Sequence, residues 1–157
     1  MKKLILVASL LLATSAFAEK IGVVDTQRVV SQFSVTKAAQ KDLEGQVKRL
    51  ENEARTKEIT LQKEYVALQS KGDKLTDAEK KAFEKKAQDF ENFMNSSQQK
   101  LNDQQMQKLK SIETVYNKAI QKVATEGKFD YILEADAVKI GGEDVTDKVL
   151  KAMEASK

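Results

Sequence analysis

LQSKGDKLTDAEK, residues 68–80, separates two long charged helical patterns. Gly72 can take the left-handed conformation that closes a helix, because it has no Cβ to clash. Thr76 followed by Glu79 makes a capping box, which satisfies orphan N–H groups at a new helix N-terminus. Asp77 and Glu79 also complement the dipole of that second helix. The stretch stops one helix and starts another, and so short a turn predicts that the two lie antiparallel.

Upstream of the turn, Leu43, Val47, Leu50, Ala54, Leu61 and Leu68 follow alternating steps of four and three, with Lys57 and Glu64 in the two remaining seam positions. Downstream, Phe83, Ala87, Phe90, Met94 and Leu101 carry the seam back, and it resumes at Leu109, Ile112, Tyr116, Ala119 and Val123. The gap from Leu101 to Leu109 does not fit a strict heptad and predicts a change of phase. The absence of proline suits long helices. A first helix from near Thr26 to Ser70 and a second ending near Ala124 would each run for roughly 40 or more residues, or about 65–70 Å. Residues 37–124 therefore read as a helical-hairpin arm with its tip near residues 71–78.

The two ends of the chain have a different pattern. KIGVVD, residues 20–25, reads as a strand, and Asp25 or Thr26 can cap a helix whose Val29, Val30 and Phe33 share one face. FDYILEA (129–135) and AVKI (137–140) read as two more strands, the second ending at Gly141-Gly142. DVTDKVLKAM (144–153) places Val145, Val149, Leu150 and Met153 at helical spacing. Residues 19–36 and 125–157 thus make a body of about 50 residues, marginal alone without disulfide or metal. Its short strands have edges to cover. This predicts an oligomer whose shared core holds Ile21, Val23, Val24, Tyr131, Ile132, Leu133, Val138 and Ile140; the number of copies does not follow. The expected fold is mostly α with a small β body, a coiled-coil-like arm on an oligomeric core.

MKKLILVASLLLATSAFA, residues 1–18, has the three parts of a secretory signal: Lys2 and Lys3, an apolar run from 4 to 12, and small residues at Ala16 and Ala18. The run is shorter than the roughly 20 residues that span a bilayer. The expected mature chain is soluble and starts at Glu19. Losing Lys2 and Lys3 leaves 25 Lys and Arg against 24 Asp and Glu, a formal +1, so there is no global basic footprint for nucleic acid. With no His and no Cys, the usual zinc site, the Ser–His pair and the reactive thiol are excluded. Gly127-Lys128 lacks the glycine-rich run of a P-loop, and residues 136–144 lack the alternating ligands of a calcium loop. Neither catalytic residues, metal nor cofactor is expected, and the chain does not read as an enzyme.

The signal, KIGVVDTQRVVSQF (20–33), the two charged arms and FDYILEADAVKIGGEDVTDKVL (129–150) together resemble the Skp/OmpH family of periplasmic chaperones over essentially the whole mature chain. The resemblance implies a jellyfish-shaped homotrimer, with a small β-barrel-like body and three helical hairpins around a cavity. It implies a periplasmic holdase that binds unfolded outer-membrane β-barrel proteins without ATP. Such a protein needs adaptable weak contacts rather than one shaped pocket. Tyr65, Leu68, Phe83, Phe90, Phe93 and Met94 can supply them near the tip. The plainer reading is that Leu68, Phe83, Phe90 and Met94 close the seam, whereas Tyr65 and Phe93 lie beside it. Lys80, Lys81, Lys85 and Lys86 read first as a solvated basic face with i,i+4 partners, and second as an attraction for acidic clients, lipopolysaccharide phosphates or an anionic membrane surface. No family lipopolysaccharide motif carries over residue by residue. Two rivals use the same features: a passive structural coiled coil of the cell envelope, and a polyanion-binding protein.

Overall fold

The computed structural model describes residues 19–157; the segment read as a secretory signal lies outside the described residues. The element order is β1 (Ile21–Val24), α1 (Thr26–Gln32), α2 (Ser34–Gln69), a 3₁₀ turn (Gly72–Lys74), α3 (Asp77–Gly127), β2 (Tyr131–Glu134), a second 3₁₀ turn (Ala135–Ala137), β3 (Glu143–Asp144) and α4 (Thr146–Glu154). β1 is the central strand of a three-stranded sheet ordered β2-β1-β3. Both neighbours run parallel to it, pairing Ile21 with Tyr131 and Gly22 with Glu143.

Asp25 caps α1, its carboxylate accepting the Arg28 N–H at 2.7 Å. The expected single helix from Thr26 to Ser70 is corrected by a break at Phe33, whose backbone is extended at φ −57° and ψ 127°. The cause is burial: Phe33 drops into the core at 1% exposure, and the chain kinks to let it. The orphan groups at the new N-terminus are met by α4, because Glu154 accepts the Ser34 N–H and hydroxyl at 2.7 Å each. The two long helices are therefore unequal, 36 residues for α2 and 51 for α3. They span about 54 Å and 77 Å at 1.5 Å per residue.

The turn between them follows the expected chemistry. Gly72 has φ +51°. Thr76 and Glu79 complete the capping box, and Lys71 pairs with the same glutamate. At its far end, α3 runs past Ala124 to Gly127 and closes on Lys128, which itself takes φ +51°. Gly127 serves packing instead: a Cβ there would lie 2.3 Å from the Phe129 ring.

The core gathers where the last turns of α3 pass α1, α4 and the sheet. Val24, Val29, Phe33, Ile112, Ala119, Val123, Phe129, Val145, Val149 and Met153 are buried in one cluster. Gly22 allows close approach on the inner sheet face, since a Cβ would meet Ile132 at 3.2 Å and Phe129 at 3.3 Å. The expected strand at residues 137–140 does not form. The chain makes a 3₁₀ turn at Ala135–Ala137, bends at Lys139 and Ile140, reverses through Gly141 (φ +92°) and Gly142 (φ +84°), and pairs Glu143–Asp144 with β1 instead. Gly142 lies against Val23, where a Cβ would fall 2.4 Å from the valine methyl. Side-chain bonds then tie β1 to both neighbours' helices. The Asp25 N–H donates to the Thr146 hydroxyl at 3.0 Å, and Thr26 bonds the Tyr116 hydroxyl at 2.5 Å and Glu134. Burial raises the Tyr116 phenol above its usual range, against the Thr26 bond.

Candidate functional site

From residue 37 to residue 111 not one side chain is fully buried. The seam of α2 and α3 is half-closed: Leu43, Leu50, Leu61, Leu68, Phe83, Phe90 and Leu101 are half-buried, with Lys57 and Glu64 among them as expected. Val47, Ile59, Tyr65, Val66, Met94, Met106 and Leu109 remain exposed along the same helices. Shallow clefts of about 270 Å³ beside Leu61 and Phe90, 350 Å³ beside Phe93 and Met94, and 250 Å³ beside Leu68 and Phe83 follow the seam.

Two neighbours exchange the places assigned by a heptad count. Phe93 is half-buried, with the Lys57 ammonium 4.9 Å from its ring, while Met94 is 45% exposed and is not a seam residue. The reason is periodicity. The inward positions Glu79, Phe90, Leu101, Ile112 and Val123 recur every eleven residues, a period of about 3.67 per turn rather than 3.5. The same drift turns Leu109 outward and brings Gln104 inward, where its amide oxygen is buried without a hydrogen-bond partner. The eleven-residue spacing is present in the sequence, and a seven-residue repeat does not register it. Near the tip, Tyr65 stacks obliquely on Phe83 at 5.9 Å and accepts a hydrogen bond from Gln69 at 2.7 Å.

Lys80, Lys81, Lys85 and Lys86 do not make one free face. Lys86 reaches across the hairpin to Glu64 at 2.6 Å, and Lys80 pairs with Asp77 at 3.5 Å. Among the described residues Lys81 and Lys85 have no ion pair. Glu79, bonded by Lys71 and by Thr76, is held at a pKa of about 2 against an ordinary 4.5. The tip is thus electrostatically latched.

The body presents the second feature. Gly22 and Val24 point into the core, so Ile21 and Val23 point outward, beside Tyr131 at 51% and Leu133 at 40% exposure. Ile140 projects from the glycine loop at 94% exposure. Val24 faces the core, and Val138 and Ile132 are half-buried within this chain. Among the described residues, one face of the sheet is therefore apolar and uncovered. Among the described residues no group of three potential metal ligands occurs, and no helix is long and apolar enough to cross a membrane.

A long antiparallel hairpin rooted in a small parallel sheet and a capping helix defines a class: extended-arm proteins whose contact surface is distributed rather than pocketed. Residues 20–153 match the model of the family described as outer membrane protein (OmpH-like), and the chain belongs to that family. It is 30% identical over 162 residues to "Chaperone protein Skp" of Photorhabdus luminescens, covering 96% of this chain and 98% of that one. The protein of the same description from Yersinia enterocolitica is 29% identical over 161 residues, with the same coverage. The fold resembles a crystal structure from Caulobacter crescentus CB15, described as an outer membrane chaperone (OmpH-like), with TM-score 0.66, 22% identity, and coverage of 88% and 86%.

Proposed function

We propose that this protein is an ATP-independent periplasmic holdase that binds unfolded outer-membrane β-barrel proteins between its arms and keeps them from aggregating. The observation that carries the reading is the open seam: residues 37–111 bury nothing fully and expose seven large apolar side chains. A passive coiled coil would close its seam; this arm leaves flexible and aromatic groups available for many sequences. Relatives that bear the description "Chaperone protein Skp" along their whole length support it. Tyr65 and Met94 are the accessible contacts, with Leu68, Phe83, Phe90 and Phe93 reached as the helices part. Lys81 and Lys85 are left to meet acidic segments or lipopolysaccharide phosphates.

Residues 19–36 and 125–157 act in this reading as the association body, and residues 37–124 as the arm. The uncovered face made by Ile21, Val23, Tyr131 and Leu133, with Ile140 beside it, joins three copies into a barrel-like hub. The protein reaches the periplasm through a signal cleaved after Ala18. In the test, a denatured β-barrel membrane protein is diluted with and without an equimolar amount of the protein, no nucleotide being added. Suppressed light scattering is expected, and identical curves would remove the reading. Native mass measurement should give three chains alone and three chains with one guest.

A further inference from the structure

A cleft of about 440 Å³ opens between the last turns of α3, at the root of the arm, and α4. Its floor is apolar, made by Val123, Ala152 and the Phe129 ring. That ring lies flat against the chain only because residue 127 is glycine. Lys20 sits 4.2 Å over the same ring, donates to the Gly127 carbonyl at 3.0 Å and pairs with Glu143 at 3.3 Å, so its charge is already answered.

The rim carries Lys122, Lys148 and Lys151 against one carboxylate, Glu126. Lys148 is committed to Glu143, and Lys122 stands 4.0 Å from Glu126. Among the described residues Lys151 has no ion pair. A surplus of about one positive charge therefore faces an apolar trough whose size falls in the roughly 300–1,000 Å³ range of small-molecule sites. A neutral apolar guest leaves that charge unanswered, and a small hydrophilic anion leaves the floor in contact with water.

We propose that this cleft binds a single-chain carboxylate amphiphile. The carboxylate lies between Lys122 and Lys151, and the alkyl chain covers Val123, Phe129 and Ala152. The proposal stands apart from the chaperone reading, since none of the residues given there to guest or lipopolysaccharide contact lines this cleft. Calorimetric titration of the full native protein with sodium dodecanoate, below micelle formation, tests it. One saturable site per chain is expected. The double variant Lys122→Gln/Lys151→Gln should bind at least about tenfold more weakly, because charge-assisted bonds are the strong ones. Ala155→Trp should abolish binding by filling the mouth from an exposed helix-end position, with helical content by circular dichroism unchanged. The neutral detergent dodecyl maltoside should bind at least about tenfold more weakly than dodecanoate. Absence of a saturable site, a stoichiometry above one per chain, equal binding by wild type and the lysine variant, or equal binding of the neutral detergent overturns the proposal.

Discussion

The arm and the body are built from the same kinds of residues but hold together differently. In the body, eleven apolar side chains are buried in one cluster drawn from β1, α1, α3, α4 and the residues that join them. In the arm, cohesion rests on helix hydrogen bonds, a half-closed seam and single pairs such as Lys86–Glu64. Closing a core around Phe33 and Met153 makes the body specific to one partner arrangement. Leaving Phe83, Phe90 and Leu101 half-buried keeps the arm's apolar surface partly open to solvent, which is what the proposed holdase reading requires of it. The difference teaches where the buried core ends: at residue 37 on the way out, and near Ile112 on the way back.

The sharpest test of this contrast is truncation on either side of it. Phe33→Ala, in the body, should cost about 3–5 kcal/mol, whereas Phe90→Ala, half-buried in the arm, should cost well under half of that. Urea unfolding at one fixed protein concentration measures both, and equal losses would erase the distinction. Acid provides a second comparison. Glu154, bonded by Lys157 and Ser34, has a pKa of about 2 against an ordinary 4.5, and Glu79 at the tip shares that value. A depressed carboxylate contributes fully above pH 4.5 and loses its contribution as pH falls toward 2. Bonds from Lys148 and from Thr146 also lower the pKa values of Glu143 and Asp144, in the body. Acid should therefore weaken the body modestly, since these pairs are exposed to solvent, with Glu154→Gln flattening that part of the stability profile. Glu79→Gln should change only amide exchange around the tip.

Smaller effects belong to the turn. Thr76→Ala removes the capping box and should cost about 1 kcal/mol of local stability, seen as faster amide exchange over residues 76–80. Gly72→Ala meets no steric neighbour within 4 Å, so only the left-handed backbone is penalised, by about 1 kcal/mol. An effect of either change on the body's unfolding midpoint would mean that tip and body are coupled.

Much of this was readable in the chain. The turn at residues 68–80 shows its chemistry openly, because capping and positive φ are local requirements that Thr76, Glu79 and Gly72 meet unaided. Likewise Val145, Val149 and Met153 form the buried face that their spacing indicates. The misreadings share a cause: they depended on distant partners. Nothing near Phe33 announces a break, since the carboxylate that stabilises it comes from Glu154, 120 positions away. AVKI has strand composition, but Gly142 packing against Val23 decides which residues reach β1. Met94 and Phe93 exchange places because seven- and eleven-residue periods drift apart by about one sixth of a residue per turn, which adds up along a helix as long as α3. Of the residues that the sequence places in a shared core, Tyr131, Leu133 and Ile140 are exposed on this chain and Ile21 and Val23 half-buried, whereas Val24 is buried within it.

Hydrogen–deuterium exchange of the protein, free and bound to an unfolded β-barrel membrane protein, tests the division of labour most directly. The account predicts that the guest slows exchange in peptides from residues 37–111 and leaves β1, α4 and the last turns of α3 unchanged. Protection confined to the body, with the arm indifferent to the guest, would contradict it.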